Sequence, residues 1–280
     1  MTTAVQQKLL LLLALGLLSG CVAYNDPCAP LVDNPGERVA FIMKGTELWL
    51  DRPNARHTNN AIGQLDADAT VWVFRDTDKP VQLAVMNGGA IRAEGLCVTR
   101  NILGSGPLSN GVLHEILLFE NPVNAVDLSE QELRDMFEHS VEKLFPTASP
   151  IVSPAGSFLQ VSQEVSMDVD CALAPLSRVV RLRVNNVDVQ KPARPFSEVK
   201  YRVAMPAFLL GGGDGYTMLA GKGTDPSRNP TQAQRFGGID SNITAAYLKQ
   251  SAFNATVEAG FQVESRVKLA NCAAPVRPPN

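Results

Sequence analysis

The sequence GGGDGY at residues 211–216, together with NGGAIR at residues 87–92, is the most informative pattern in this chain of 280 residues. Phe208 stands six residues ahead of Asp214. Glycine runs occur where a backbone needs positive φ angles or must approach another group closely. Each run also carries a charged side chain, Asp214 in the first and Arg92 in the second. We therefore predict that both stretches are ligand-facing loops.

Strand patterns lead into both loops. Short apolar runs at residues 81–86 and 200–204 predict buried strands that end where the loops begin. Further strands are predicted at residues 114–119, 123–128, 158–161, 165–169 and 179–184, with a short hairpin at 39–50 and a turn at Asn185-Asn186. Helical spacing of apolar residues occurs at residues 60–74, 129–145 and 241–250.

The clearest helix signal begins at Ser129. Ser129 and Glu132 form an S-x-x-E capping box ahead of one apolar stripe, and Pro146 ends the pattern. Strands and helices alternate along the chain without a regular βαβ period. The sequence therefore predicts an α+β fold, a single domain over residues 39–272 with a mixed β-sheet flanked by helices.

The N-terminal segment has the features of an export signal. Lys8 precedes an apolar run at residues 9–18 that is too short for a stable membrane span, so residues 1–20 are predicted to be a signal peptide. Leu-Ser-Gly-Cys at residues 18–21 resembles the bacterial lipobox, in which the cysteine, here Cys21, is diacylated. An ordinary secretory signal and a buried first helix are the alternatives.

Lipidation would anchor the chain to a membrane without a spanning helix. Residues 21–38 contain several prolines and are predicted to be a lipidated tether, while residues 273–280 are predicted to be a loose tail. Val22 follows the cysteine where retention in the inner membrane would usually require Asp. We therefore expect an outer-membrane lipoprotein that faces the periplasm or the cell surface of a Gram-negative bacterium.

Charge and cysteine content restrict the partners further. The formal net charge of −3 leaves no basic field for nucleic acid, so no nucleic-acid partner is expected. Apart from Cys21, four cysteines remain in what would be an oxidising compartment, and three disulfide pairings are open. We favour Cys28 with Cys272 and Cys97 with Cys171. A zinc cluster is disfavoured because no CxxC spacing occurs.

The order of these motifs resembles the C-terminal, substrate-binding domain of the 5′-nucleotidase family over residues 60–267. The first helix of that domain contains a sequence similar to N-x-G-x-L-x-A-D-A, and GQLDADA at residues 63–69 matches it from the glycine onward. The NGGGIR loop of the family is matched by residues 87–92, with Ala90 in place of one glycine, and its GGDGY loop by residues 212–216.

The resemblance implies a pocket for a nucleoside, a nucleotide or a nucleotide sugar. Phe119 and Phe208 match two aromatic residues that sandwich the base in the family. Asp214 would accept hydrogen bonds from ribose hydroxyl groups, and Asn87 would bind the base or the ribose. Arg92 would reach the anionic side of the ligand, since a guanidinium fits phosphate or carboxylate oxygens.

Other matches are less directly tied to the ligand. Asn121 ends the LFEN sequence that resembles the P-F-G-N stretch of the family, so it is a further candidate for substrate binding. EHS at residues 138–140 and FLQVS at residues 158–162 also resemble family sequences. We interpret both as scaffold, because a histidine among apolar neighbours is usually a packing residue that forms hydrogen bonds.

Catalytic motifs are not found. The family hydrolyses phosphate esters with two metal ions held by D-x-H, G-D-x-x-D and G-N-H-[DE] motifs of its metallophosphatase domain, and none of these motifs occurs in the 280 residues. We therefore expect no catalytic residue, no metal and no cofactor. Three functions remain open: a binding module, the substrate-binding part of a 5′-nucleotidase completed by a separate metallophosphatase chain, or an envelope scaffold with a vestigial pocket.

Overall fold

A computed structural model describes residues 34–42, 48–49, 52–92, 102–103, 106–147, 155–190, 200–222, 238–250 and 263–274. The strands are β1 Arg38–Ile42, β2 Leu48–Trp49, β3 Leu83–Asn87, β4 Ile102–Leu103, β5 Gly106–Ser109, β6 Val123–Ser129, β7 Leu159–Val161, β8 Val165–Asp170, β9 Val179–Val184, β10 Val187–Asp188, β11 Lys200–Pro206 and β12 Val267–Ala270. The helices are α1 Arg52–His57, α2 Ala61–Phe74, α3 Asn110–Ile116, α4 Glu130–Val141, α5 Ala207–Leu210 and α6 Asp240–Gln250.

The first of two four-stranded sheets has the order β6-β11-β3-β7. β11 runs parallel to β3 and antiparallel to β6, and β7 is antiparallel to β3. Every residue of β3 is buried. Small side chains cover the face toward α2 and α6, namely Ala84, Ala125 and Ala204, which allows the helices to pack closely against the sheet. This sheet is therefore enclosed on both faces.

The second four-stranded sheet has the order β10-β9-β8-β12. Its strand β8 alternates between buried valine or methionine and more exposed polar residues, as expected when one face packs on a core and the other faces water. The buried face joins α4 and the first sheet in one apolar core, to which Met136, Phe137, Met167 and Leu182 contribute. The α+β class with helices flanking a mixed sheet is confirmed, with the strands divided between two large sheets.

Two small sheets complete the described part of the fold. β1 pairs with β5 and β2 pairs with β4, all antiparallel. The predicted hairpin at residues 39–50 is therefore wrong, because β1 and β2 take partners distant in sequence. Apolar alternation identifies a strand but does not identify the strand beside it.

Side-chain caps mark where the two main helices begin. Asn60 caps α2 by accepting hydrogen bonds from the backbone N–H groups of Ile62 and Gly63. At α4 the Ser129 side chain accepts from the Glu132 N–H, and the Glu132 carboxylate accepts from the Ser129 N–H at 2.9 Å. The predicted helix at residues 129–145 is confirmed, although α4 itself ends at Val141.

The predicted strand at residues 114–119 is wrong. α3 occupies Asn110–Ile116, and Ser109 caps it by accepting a hydrogen bond from the Val112 N–H at 3.3 Å. A short apolar run is compatible with a buried helix as well as with a buried strand. The serine cap ahead of the run is the local signal that separates the two.

The favoured disulfide pairing is also wrong, because Cys171 is bonded to Cys272. β12 runs parallel to β8 with Ala270 opposite Asp170, so both cysteines lie just beyond the same end of that strand pair. Their Cα atoms are 4.9 Å apart. Order along the chain could not reveal this contact between residues separated by 101 positions. Cys28 and Cys97 lie outside the described residues.

The expected signal peptide, Cys21 and most of the expected tether also lie outside the described residues. In the part of the chain that is described, no helix combines the length and the apolar character needed to cross a membrane.

Candidate functional site

One edge of the first sheet brings the two predicted loops together. β3 ends at Asn87, and the parallel strand β11 ends at Pro206, just before Phe208. The antiparallel neighbours β6 and β7 begin at the same edge, with Val123 opposite Pro206 and Leu159 opposite Asn87. Segments that are far apart in sequence therefore meet at this edge.

These segments line a cleft of about 180 Å³. All six residues predicted to bind substrate line it: Asn87, Arg92, Phe119, Asn121, Phe208 and Asp214. Arg56, Gly89, Ala90 and Gly156 complete the lining. The geometry thus places every predicted site residue around one cavity.

Asp214 lies on the polar side of the cleft. Its backbone has φ 52° and ψ 19°, a left-handed conformation that Asp tolerates better than most residues. The Asn87 amide nitrogen donates a hydrogen bond to Asp214 Oδ2 at 2.7 Å. Asn87 Oδ1 is buried and has no hydrogen-bond partner among the residues that the structure describes.

Two glycines leave space for the Asp214 carboxylate. A Cβ atom on Gly156 would lie 2.9 Å from Asp214 Oδ2, and one on Gly89 would lie 3.2 Å from the same oxygen. Such a Cβ on Gly89 would also lie 2.8 Å from Gly156 Cα. Any larger residue at either position would displace the carboxylate or the loop that carries it.

The aromatic side of the cleft is open to solvent. Phe119 is 50% exposed and Phe208 is 46% exposed, although phenylalanine is among the residue types most often buried. The Arg92 guanidinium lies 4.4 Å from the centre of the Phe119 ring, within the range of a cation–π contact. Arg92 also donates a hydrogen bond to the Gly89 carbonyl oxygen, which fixes its direction.

Phe208 packs against the glycine loop that follows it. A Cβ on Gly213 would lie 2.5 Å from ring atoms of Phe208, so a larger residue there would require the half-exposed ring to move. The first phenyl ring thus contacts a guanidinium and the second contacts a backbone. Both rings keep about half of their surface exposed.

Asn121 connects the cleft to a buried carboxylate. Its side-chain amide nitrogen donates to Asp240 Oδ2 at 3.0 Å, and its backbone carbonyl oxygen accepts from the Asp240 backbone N–H at 3.0 Å. Burial raises the pKa of Asp240 to about 6, although the hydrogen bonds from Asn121 and Ser241 favour its charged form. Burial, and then the nearby charge of Asp240, raise the pKa of Asp66 well above its usual range.

Sequence reasoning missed Arg56 and Gly156. Arg56 belongs to α1, a helix of one and a half turns that carried no predicted motif. Gly156 lies shortly before β7, next to the FLQVS match, so that match was the only signal for its position. Within the described ranges, no three His, Cys, Asp or Glu side chains are grouped so that they could hold a metal ion.

Comparisons with known proteins match most of this chain to one domain family. The family model for the 5′-nucleotidase, C-terminal domain, matches residues 39–221. An apyrase from Tabanus yao is 29% identical over 218 residues, which is 75% of this chain and 36% of the apyrase. A snake venom 5′-nucleotidase from Gloydius brevicauda is 30% identical over 196 residues, covering 68% of this chain and 30% of that protein.

A solved structure has the same architecture. The 5′-nucleotidase precursor from Thermus thermophilus superposes with a TM-score of 0.62 at 29% identity, covering 84% of this chain and 40% of that one. The chain spans about a third of the length of the curated relatives it matches. Because the family model covers more than half of its residues, including both glycine loops, the chain belongs to the family of 5′-nucleotidase C-terminal domains.

Proposed function

We propose that the cleft binds a nucleoside or a nucleotide. The observation that carries this proposal is the convergence of six residues from separate segments on one cavity, including two half-exposed phenylalanines. A soluble domain normally buries such rings, because exposing them to water is unfavourable. An aromatic ligand that covers both rings would remove this exposure.

The base would lie against Phe119 and Phe208. Stacking on an aromatic side chain contributes about 1–3 kcal/mol per base and tolerates any purine or pyrimidine. The guanidinium of Arg92 on Phe119 extends this flat surface, since guanidinium groups stack on rings and on bases alike. The aromatic side would therefore provide affinity with little selectivity between bases.

The polar side would recognise the rest of the ligand. The Asp214 carboxylate can only accept hydrogen bonds, so it suits the hydroxyl groups of a sugar. The buried Asn87 Oδ1 would gain a partner if a ligand donated to it, which would offset the penalty of an unsatisfied acceptor. Arg56 and Arg92 add two cationic side chains to the lining, a composition that favours a ligand with phosphate or carboxylate groups.

Calorimetry with adenosine, AMP and UDP-glucose tests the proposal. We expect binding of at least one of them, with affinity lowered by about 1–3 kcal/mol in Phe208→Ala. Val187→Ala, an exposed apolar residue in the second sheet, serves as the matched control and should bind as the wild type does. Absence of binding at millimolar ligand would remove this function and leave the vestigial scaffold.

A second function is favoured by the fraction of each relative's length that this chain covers. The matched part is about a third of an apyrase and of a venom 5′-nucleotidase, both named as enzymes. The chain would then be the substrate-binding part of a 5′-nucleotidase completed by a separate metallophosphatase chain. Release of phosphate from AMP with Mn²⁺ should require the added metallophosphatase domain, and release by the pure chain would contradict this arrangement.

We further propose an outer-membrane location through lipidation of Cys21. The LSGC sequence after an apolar run supports this proposal. Mass spectrometry of the mature N-terminus should find a diacylated cysteine. Cys21→Ser should move the protein from the membrane fraction to the soluble fraction, and a wild-type chain cleaved elsewhere without lipid would contradict the anchor.

A further inference from the structure

The imidazole ring of His139 is held between two hydrogen-bond acceptors. His139 lies on α4, with Nε2 3.0 Å from the Asp214 carbonyl oxygen and Nδ1 3.0 Å from Glu142 Oε2. A carbonyl oxygen and a carboxylate accept hydrogen bonds and cannot donate them. Both contacts are satisfied together only when each ring nitrogen carries a proton, which is the imidazolium form.

Neighbouring residues pack closely around the ring. Tyr216 meets it edge-on with ring centres 4.6 Å apart and an interplanar angle of 80°. Gly215 has φ 87°, and a Cβ there would lie 3.0 Å from His139 Cε1. Tyr216 is itself fixed because its hydroxyl donates to the Ser157 carbonyl oxygen. His139 is only 9% exposed.

The hydrogen bond between His139 and Asp214 connects His139 to a residue that lines the cleft. The same residue presents its carbonyl oxygen to His139 and its carboxylate to Asn87. Displacement of the Asp214 backbone away from His139 would therefore also move the carboxylate, because both groups are attached to the same Cα atom. A continuous series of hydrogen bonds runs from Glu142 through His139 and Asp214 to Asn87, from the surface of α4 to the lining of the cleft.

We propose that His139 is a positioning residue for ligand binding, which in its doubly protonated form holds the Asp214 carboxylate in the orientation that receives the hydroxyl groups of the ligand. This inference rests on the proposed function of the cleft. Loss of either proton leaves a ring nitrogen lone pair facing an acceptor oxygen. The repulsion is relieved by movement of the Asp214 peptide, so ligand affinity falls as pH rises.

The charged groups around the ring are accounted for. Glu142 faces it from the same helix and Asp214 from the glycine loop. Burial raises the pKa of Tyr216 well above its usual range, so that hydroxyl stays neutral. Arg178, from the segment before β9, donates to the Glu142 carbonyl oxygen at 2.8 Å and adds positive charge near its carboxylate.

The test is the pH dependence of adenosine affinity. Adenosine is chosen because it carries no phosphate that titrates in the same range. For the wild type, affinity should decrease as pH rises, because loss of either ring proton of His139 turns one of its two hydrogen bonds into a repulsion. His139→Gln should bind about tenfold more weakly at the acidic end and should lose the pH dependence.

Two further variants separate positioning from folding. A glutamine at position 142 can donate or accept, so Glu142→Gln should accommodate the neutral ring and flatten the pH profile with little loss at low pH. Glu138→Gln alters a carboxylate of the same helix that accepts from the Arg178 and Val179 N–H groups instead. This control should lower the free energy of unfolding yet keep the wild-type pH profile.

Ring ¹⁵N chemical shifts in the ligand-free protein distinguish failure of the proposed function from failure of the positioning role. An N–H group on both ring nitrogens of His139 in the wild type, with one of them lost in Glu142→Gln at the same pH, supports the assignment of the two contacts. If that result is obtained but adenosine and AMP do not bind, the proposed function fails and the positioning role fails with it. Binding with the same pH profile in wild type and His139→Gln would overturn the positioning role alone.

Discussion

The β6-β11-β3-β7 sheet is enclosed on both faces, whereas the β10-β9-β8-β12 sheet keeps one face in water. The outer face of the second sheet carries ion pairs such as Arg183 with Asp188 at 2.8 Å and exposed apolar residues such as Val180. Both sheets contribute to the same core, but the cleft residues follow or precede strands of the first sheet or lie in segments packed beside it.

This difference between the two sheets separates the part of the fold that positions the cleft from the part that only adds stability. A sheet covered on both faces holds its strand ends in fixed relative positions, so loops leaving one edge can place Asn87, Phe208 and Asp214 around a cavity. The second sheet is stabilised by a disulfide and by its buried face. We expect changes there to alter stability alone, and changes at the edge of the first sheet to alter binding.

The largest expected effect comes from the disulfide of the second sheet. The variant with both Cys171→Ser and Cys272→Ser should lose about 4–5 kcal/mol in the free energy of unfolding, because the bond closes a loop of about a hundred residues. Urea denaturation measures this loss. AMP affinity at a temperature where the variant is folded should be unchanged, and a large change in affinity would break the division between the sheets.

A second effect tests the buried carboxylate behind Asn121. The pKa of Asp240 is raised to about 6 in the folded state by burial, against about 3.9 for an unfolded chain. A raised folded-state pKa stabilises the fold at low pH, and this contribution is lost as pH rises from about 4 to about 6.

Asp240→Asn removes this titration. The difference in the free energy of unfolding, variant minus wild type, should therefore increase by about 3 kcal/mol over that pH interval. Denaturation curves at a series of pH values measure it. Asp78→Asn, at an exposed position, controls for a change in net charge and should show no such increase.

The third effect concerns the aromatic side of the cleft. Phe119→Ala removes both the stacking surface and the ring beneath Arg92, so AMP affinity should fall by about 2 kcal/mol. Because Phe119 is half exposed, the free energy of unfolding should change little. Calorimetry and thermal melts measure the two quantities. Val180→Ala, in the second sheet, is the control, and an equal loss of affinity there would contradict the comparison.

The smallest expected effect tests whether Arg92 acts through its charge or through the planar shape of its guanidinium. Arg92→Lys keeps the positive charge but loses the planar guanidinium, so AMP affinity should fall by about 1 kcal/mol. Adenosine should lose a similar amount if stacking on Phe119 is the main contribution. A loss confined to AMP would instead assign Arg92 to the phosphate.

Predictions from the sequence succeeded where a signal is local. The Ser129 and Glu132 capping box identified α4, and short apolar or β-rich runs identified β6, β8, β9 and β11. They failed where the answer depends on which distant segments meet. For that reason the partners of β1 and of Cys171 were mispredicted. The helix at residues 110–116 was mispredicted because a short apolar run fits both a helix and a strand.

The site residues also divide into those with a local sequence signal and those without one. Glycine loops, two phenylalanines and the polar residues Asn87, Arg92, Asn121 and Asp214 were identifiable because each stands in a recognisable motif. Arg56 had no motif. His139 was interpreted as scaffold because it stands among apolar neighbours, and its contact to Asp214, 75 positions away, has no local signal.

The sequence alone determined the types of most of the main elements, the resemblance of both glycine loops to family motifs and the net charge of −3, since these depend on local patterns and composition. Tertiary structure decided which cysteines are joined, how exposed the two rings are, that Asp240 is buried enough to raise its pKa, and that His139 faces two acceptors. Each of these depends on distances between residues far apart along the chain, and such distances exist only once the strands have paired and the core has closed.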